Sequence, residues 1–200
     1  MRVENQEDVL RIIREDHWMM EILRAAKSLN LPDWWICAGF VRSKIWDVLH
    51  DFKNRTPLSD IDVVYFDGTN GDEGIEKRWE AKLRSLLPNV PWSVKNEARM
   101  HAVNQLPPYT SSADAISKFP ETATALGVKL NDRDELILLA PHGLDDVLRL
   151  RVKPTPLFEK TPDLAKVYEE RLAKKNWKAI WPQLKIYHLG ENRASSDQRL

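Results

Sequence analysis

The chain has 200 residues, and its 30 lysines and arginines balance 30 aspartates and glutamates, so the formal net charge is zero. Domains that bind nucleic acid through bulk electrostatics are usually basic, so this balance argues against such a partner and favours a small-molecule substrate. The single cysteine, Cys37, excludes an intrachain disulfide, and no apolar run reaches the length of a membrane span. We therefore expect one domain over residues 1–200 of a cytoplasmic protein with no membrane partner.

The first half of the chain predicts alternating helices and strands. Apolar residues at helical spacing predict one helix over residues 5–29, and the apolar stretch 34–39 predicts a buried strand that ends at a glycine. The predicted elements that follow are a helix at 41–52, a strand at 59–66, a glycine-rich acidic loop at 67–74 and a helix at 75–86.

The second half predicts more strands and a long C-terminal helix. Ser111 and Asp114 fit a capping box at the start of a short helix, and the segments 122–130 and 135–140 predict two strands of a hairpin. The other predicted elements are a strand at 91–96, a short helix at 97–106, a helical turn at 143–150 and a helix at 162–180. This mixed order favours an α+β fold, with a mixed β-sheet flanked by helices.

The strand "SDIDVVYF" carries two aspartates at its head. Since side chains alternate along a strand, Asp60 and Asp62 project to one face, about 7 Å apart, while Ile61 and Val63 face the core. Two like charges so close together resist ionisation, and a divalent cation bound beside them removes that cost. Because the pattern is short, a strand start with one capping and one solvent-facing aspartate is the alternative interpretation.

The preceding segment, "CAGFVRSKIWD", predicts a strand that ends at Gly39 and opens directly into a helix. A helix N-terminus presents unpaired amides and the positive end of the helix dipole, which suit a phosphate. Arg42 and Ser43, in the first turn, add a charged donor and a hydroxyl. Gly39 alone would indicate only a tight turn. The order of strand, glycine, helix, loop and acidic strand indicates a site for a triphosphate and its metal ions.

These residues resemble the nucleotidyltransferase superfamily with the polymerase-beta-type catalytic core. "AGFVR" is similar to its glycine-valine-arginine element, and "SDIDVVYF" is similar to its metal-binding strand. A bacterial family of small nucleotidyltransferases is more similar still, through "AGFVRSKIWD", "LSDIDVVYFD", "VKNEARMH", "FPETATALGVKL", "APHGLDDVLRLRVKPTP" and "RLAKKNWKAIWPQL". The resemblance implies that a nucleoside monophosphate moves from a nucleoside triphosphate to a hydroxyl acceptor while pyrophosphate leaves. It specifies neither the acceptor, nor the base, nor the oligomeric state.

The resemblance also implies roles for individual residues and segments. Asp60 and Asp62 would hold Mg²⁺, with Mn²⁺ as an alternative, and the nucleotide would meet Gly39, Phe40, Arg42, Ser43 and Ser59. Many members carry a second glycine or serine where Phe40 stands, so we expect less backbone freedom in this turn. The catalytic core would span about residues 30–156, followed by a helical extension at about 160–190 and a frayed tail at 191–200.

Many members carry a third carboxylate on a later strand, and Glu97 is the candidate by its order in the chain. Its alternative role is to complement a helix dipole. Lys95, Arg99 and His101 are candidates for the acceptor or phosphate side of the site, and their alternative is a solvent-facing or structural role. Two other functions remain open at this point. One is an inactive nucleotide-binding module with the same fold, and the other is a structural protein with the two aspartates on its surface.

Overall fold

A computed structural model describes residues 2–190, and the predicted frayed tail at 191–200 lies outside the described residues. The large sheet contains β1 (Trp35–Cys37), β2 (Ile61–Tyr65), β3 (Trp92–Asn96), β4 (Gly127–Leu130) and β5 (Leu136–Leu139). The strands lie in the order β3-β2-β1-β4-β5, with β2 and β3 parallel and the other neighbouring pairs antiparallel. The predicted α+β class with a mixed sheet is therefore confirmed, and the predicted hairpin is formed by β4 and β5.

Helices flank this sheet along the described part of the chain. They are α1 (Gln6–Arg14), α2 (His17–Lys27), α3 (Gly39–Leu49), α4 (Glu73–Leu86), α5 (Glu97–Met100), α6 (Ser112–Ser117), α7 (Asp145–Leu148), α8 (Pro156–Lys160), α9 (Pro162–Lys175) and α10 (Trp177–Ile180). A 3-10 helix, His101–Asn104, follows α5, and the short strands β6 (Arg151–Val152) and β7 (Lys185–Ile186) pair in parallel. Within residues 2–190, every helix is too short or too polar to cross a membrane.

Both faces of the large sheet carry buried apolar side chains. Ile61 and Val63 of β2 point into the main core, as the alternating pattern predicts. Val64 points the other way and packs in a smaller cluster with Cys37 of β1 and Ile116 of α6. Asp62, two residues before Val64, shares this second face, so its carboxylate lies at the border of an apolar surface.

The single helix predicted over residues 5–29 is wrong, because the structure has two helices there. Asp16 separates them and caps α2, since its carboxylate accepts a hydrogen bond from the Met19 amide at 3.1 Å. The same carboxylate pairs with Lys44 at 2.9 Å and with Arg55 at 2.7 Å. An aspartate at an N-cap with two cationic partners is more stable there than inside a continuous helix.

The helix predicted over 162–180 is also divided. The first part ends at Lys175, and Asn176 then adopts a left-handed conformation with φ of 45°. Asparagine tolerates this conformation better than most residues and commonly ends helices in this way. The chain continues as α10, whose Trp177 packs against Trp46 of α3 with ring centroids 5.8 Å apart. The break therefore directs α10 onto α3.

The strand predicted at 122–130 begins later, at Gly127. The residues before it form a turn, in which the Glu121 carbonyl accepts hydrogen bonds from the amides of Thr124 at 3.0 Å and Ala125 at 2.9 Å. Thr122 and Thr124 therefore lie in a turn and not on a strand face. Local turn hydrogen bonds outweigh the β-propensity of these β-branched residues.

Asp47 of α3 connects three parts of the molecule. Its buried carboxylate accepts hydrogen bonds from Trp181 Nε1 at 2.9 Å, the Thr56 amide at 2.8 Å and the Thr56 hydroxyl at 2.6 Å. Thr56 lies in the loop before β2, and Trp181 follows α10. One carboxylate therefore holds this loop and the C-terminal segment against α3.

We predict that Asp47→Ala lowers the free energy of unfolding by about 3 kcal/mol, because it leaves buried donors of Trp181 and Thr56 without an acceptor. Urea denaturation monitored by tryptophan fluorescence measures the change. The matched control is Asp163→Ala, which removes an exposed carboxylate of α9 and should cost less than about 0.5 kcal/mol. Equal effects of the two substitutions would contradict the role of Asp47.

Candidate active site

The pairing of β1 with β2 brings the predicted acidic and glycine segments together. Cys37 lies directly opposite Asp62 in this antiparallel ladder. The chain leaves β1 after Cys37 and enters α3 at Gly39, so the first turn of α3 lies beside the start of β2. Gly39, Asp60 and Asp62 consequently line one cleft with a volume of about 390 Å³.

Asp60 and Asp62, which we call the acid pair, differ in their surroundings. Asp60 precedes β2 and is exposed, and its carboxylate accepts a hydrogen bond from the Ser59 hydroxyl at 3.1 Å. Asp62 is partly buried, and burial followed by the charge of Asp60 raises its pKa to about 6. A hydrogen bond from Ser93 and the charges of two cationic residues, Lys175 and Arg42, act in the opposite direction. The site therefore opposes ionisation of Asp62 as long as no additional cation is present.

The turn into α3 depends on the backbone conformation of Ala38. This residue has φ of 55° and ψ of −118°, a region that an L-residue with a side chain rarely adopts. The first helical hydrogen bonds are donated by Val41 and Arg42 to the Ala38 carbonyl. The amides of Gly39 and Phe40 precede these bonds and form the start of the helix, where the dipole is positive.

We expected the backbone to be restricted at Phe40, but the unusual backbone conformation of this turn lies at another residue. Phe40 lies inside the first turn of α3, and its side chain is buried next to Trp18, with ring centroids 6.1 Å apart. Ala38 is the position with positive φ. A glycine would be favoured at Ala38 for that reason.

Arg42 and Ser43 present polar atoms that lack protein partners. Arg42 is 7% exposed, its Nη1 donates to the Thr124 hydroxyl at 3.0 Å, and its guanidinium lies 4.5 Å from the Trp177 ring and 5.1 Å from the Trp46 ring. Burial lowers its pKa to about 10, so it remains a cation at neutral pH. Within residues 2–190, neither Arg42 Nε nor Ser43 Oγ has a hydrogen-bond partner. Buried polar atoms without a partner are rare and often lie at functional sites.

The opposite wall of the cleft is basic and was not identified from the sequence. Arg171, Lys174 and Lys175 of α9 line it. Arg171 pairs with the fully buried Glu121 at 2.8 Å, while the two lysines are exposed. The only signal in the sequence is the cluster of lysines in "LAKKNWK", which is equally typical of a helix C-terminus.

Glu97 is buried next to the acid pair but does not line the cleft. It follows Asn96, the last residue of β3, and is 5% exposed. Burial raises its pKa to about 7, and the charges of Asp62 and Glu76 add to the effect. Glu97 is therefore in electrostatic contact with Asp62, and it remains a candidate for proton transfer.

Lys95, Arg99 and His101 do not line the cleft. Arg99 pairs with the buried Glu76 of α4 at 2.6 Å, and Lys95 lies 3.5 Å from the same carboxylate. His101 Nδ1 lies 3.1 Å from the Ala98 carbonyl oxygen. Glu76 therefore joins α4 to β3 through Lys95 and to α5 through Arg99, whereas the His101 contact is local.

The acid pair fits a divalent cation that keeps part of its shell for water and substrate. Among the described residues, no group of three or more histidine, cysteine, aspartate or glutamate side chains is arranged to hold a metal ion. Mg²⁺ commonly binds through one or two carboxylates together with waters and substrate phosphates. Two carboxylates on one wall and unpartnered phosphate donors on the next are therefore a suitable donor set for a metal-bound triphosphate.

Comparisons with known proteins find a family model and solved structures that are similar to this chain. A family model described as "Nucleotidyltransferase" matches residues 24–186. An NMR structure described as revealing a CCA-adding enzyme head domain is 39% identical, with a TM-score of 0.83, and the match covers 93% of this chain and 97% of that chain. A search of curated proteins finds no significant match.

Two structures of a CCA-adding enzyme, in complex with CTP and with ATP, share the fold. They are 14% and 16% identical to this chain, with TM-scores of 0.55 and 0.54. Each match covers 96% of this chain but only 46% and 45% of the enzyme. The chain thus spans a little less than half the length of these enzymes.

We predict that Asp62→Asn stabilises the metal-free protein at pH 8 by about 2 kcal/mol. The folded-state pKa of about 6 lies above the ordinary value of 3.8, so the folded protein holds a proton that the unfolded chain releases between these values. Stability from this group is therefore present at low pH and is lost as the pH rises through 6. Urea denaturation in EDTA should show that the extra stability of the variant at pH 4.5 is less than half of its extra stability at pH 8. An advantage independent of pH would contradict this origin.

We also predict that Ala38→Gly raises the free energy of unfolding by about 1 kcal/mol, because glycine adopts the observed φ of 55° without steric cost. Ala38→Val should be destabilising, since a β-branched side chain resists this conformation. Thermal unfolding of the two variants and the wild type orders them. If valine were tolerated as well as glycine, the strain at Ala38 would be absent.

Proposed function

Because the chain belongs to the nucleotidyltransferase family, we propose that it transfers a nucleoside monophosphate from a nucleoside triphosphate to a hydroxyl acceptor, with release of pyrophosphate. The reaction is metal-dependent. The observation that carries this proposal is the shared cleft, in which the acid pair lies beside a helix N-terminus and the unpartnered Arg42 Nε and Ser43 Oγ.

The first turn of α3 binds the triphosphate in this proposal. The amides of Gly39 and Phe40 point to the start of the helix, where the dipole favours negative charge. Arg42 remains cationic and is held by Thr124 and two tryptophan rings, so its guanidinium is already oriented. Since these groups are fixed before the substrate arrives, little conformational entropy is lost on binding.

Asp60 and Asp62 would hold the divalent cation, Mg²⁺ or Mn²⁺. When bound, the cation neutralises charge on the phosphates and polarises the phosphorus that is attacked. The acid pair also gains from this arrangement, because a cation lowers the cost of ionising Asp62. Ser59 donates a hydrogen bond to Asp60 and so orients that carboxylate.

Glu97 is our candidate for accepting the proton of the acceptor hydroxyl. Its pKa of about 7 matches the working pH of a general base. Its charge interacts with that of Asp62, but Glu97 does not line the cleft, so a water molecule would have to relay the proton. The absence of Glu97 from the cleft lining is the observation that favours a second candidate function, a nucleotide-binding module without turnover.

Release of pyrophosphate from CTP and ATP, with Mg²⁺ and with fractionated cell extract as the source of acceptor, tests the proposal. We predict that Asp60→Asn and Asp62→Asn each lower the rate by more than about a hundredfold, since each removes a ligand from a cation that contributes several kcal/mol. Asp163→Asn, on the exposed surface of α9, is the control and should retain full activity.

Thermal unfolding with and without each nucleotide separates the candidate functions. A nucleotide at a hundred times its dissociation constant should add about 2.7 kcal/mol of stability. Stabilisation of the wild type without pyrophosphate release from any fraction would favour the binding module. Full activity of either aspartate variant, with the fold intact by circular dichroism, would rule out the metal-dependent mechanism.

A further inference from the structure

The last turn of α9 brings two cations to the cleft, and the charge of one of them, Lys175, acts on Asp62. Lys174 and Lys175 line its wall, and both side chains are exposed. Within residues 2–190, neither ammonium group lies within salt-bridge distance of a carboxylate. Arg171, one turn earlier, is by contrast engaged with the buried Glu121. The two lysines are thus available for a ligand, while Arg171 fixes the helix.

The position of these lysines is fixed by packing on both sides. Asn176 ends α9 in a left-handed conformation, and the next residue, Trp177, is buried. The Trp177 ring contacts Trp46 of α3 and lies 4.5 Å from the guanidinium of Arg42. Moving the last turn of α9 away from the cleft would expose this tryptophan, so the backbone that carries the two lysines stays near α3.

A simpler explanation is that lysines complement the negative end of a helix dipole. That explanation accounts for lysine at the end of α9, but it does not account for the opposite wall. There, Arg42 and Ser43 line the same cleft, and Arg42 Nε and Ser43 Oγ are buried without partners. A polyphosphate bound together with a cation on the acid pair would contact the cationic groups of both walls, Arg42 on one side and the two lysines on the other.

We propose that Lys174 and Lys175 bind the β- and γ-phosphates of the nucleoside triphosphate and stabilise the departing pyrophosphate. This inference rests on the proposed function. In the reaction, the acceptor oxygen forms a bond to the α-phosphorus, and the bond from this phosphorus to the bridging oxygen of the β-phosphate breaks. The bridging oxygen leaves with the electron pair as part of pyrophosphate, and the hydroxyl proton passes to a base. Negative charge therefore grows on the leaving group, where ammonium groups stabilise it.

Binding of triphosphates and monophosphates to Lys174→Gln, Lys175→Gln and the double variant tests this assignment. The probes are CTP, CMP and inorganic pyrophosphate, each with Mg²⁺, and calorimetry gives the dissociation constants. We expect each substitution to weaken CTP and pyrophosphate about tenfold, and the pair about a hundredfold, because each removes one charge-assisted contact. The affinity for CMP should change less than twofold. Lys178→Gln, an exposed lysine of α10 that does not line the cleft, is the matched control for charge.

The outcomes separate this inference from the proposed function. If the double variant keeps the wild-type preference for CTP over CMP, or if Lys178→Gln weakens CTP equally, the lysines do not bind the terminal phosphates, although nucleotidyl transfer can still stand. If the wild type binds neither CTP nor ATP and Asp62→Asn changes nothing, the proposed function fails and this inference fails with it. A selective loss of triphosphate and pyrophosphate affinity supports the assignment.

Discussion

The antiparallel register between β1 and β2 determines the geometry of the cleft. It places Cys37 opposite Asp62, so the turn that follows Cys37 lies beside Asp60. A slip of one residue would direct Asp62 into the main core and Val63 into the cleft, because side chains alternate along a strand. Burial of Ile61 and Val63 in the main core opposes this slip. The apolar residues of β2 therefore define the position of its two carboxylates.

Without a ligand, the cleft contains charged groups in unfavourable surroundings. Asp62 and Asp60 repel each other, and burial adds to the cost of ionising Asp62. Arg42 is buried as a cation with one nitrogen unpartnered. Each feature costs free energy in the free protein. A cation together with a phosphate anion would relieve both at once, since the cation offsets the acids and the phosphate accepts from the guanidinium. Binding sites commonly contain groups that lower the stability of the free protein and that function requires.

The sequence predicts much of this site because its parts are local. The glycine turn, the first turn of α3 and the aspartate pair are short patterns with a physical reason at each position. The strained backbone at Ala38 was not predicted, since alanine gives no indication of a positive φ. The break at Asp16 was missed because apolar spacing continues through it, and only its capping and ion pairs reveal the helix end.

The remaining features depend on contacts between distant segments, which local patterns do not show. Glu76 of α4 engages Lys95 and Arg99, and nothing near "VKNEARMH" indicates that partner. Similarly, the position of the basic wall requires α10, which directly follows α9, to pack against α3, and residues far apart in sequence establish that contact. The spacing of lysines in "LAKKNWK" predicts a helix end but gives no information about what it faces.

The segment from α9 to Trp181 is consequently part of the cleft and not merely an extension of the core. Trp181 donates to Asp47, whose carboxylate also binds Thr56 in the loop before β2. Trp177 covers the guanidinium of Arg42. A disturbance of this segment would therefore reach both walls of the cleft, through the loop that leads to the acid pair and through the arginine. Because the same contacts exclude water around Arg42, they also strengthen its interaction with an anion.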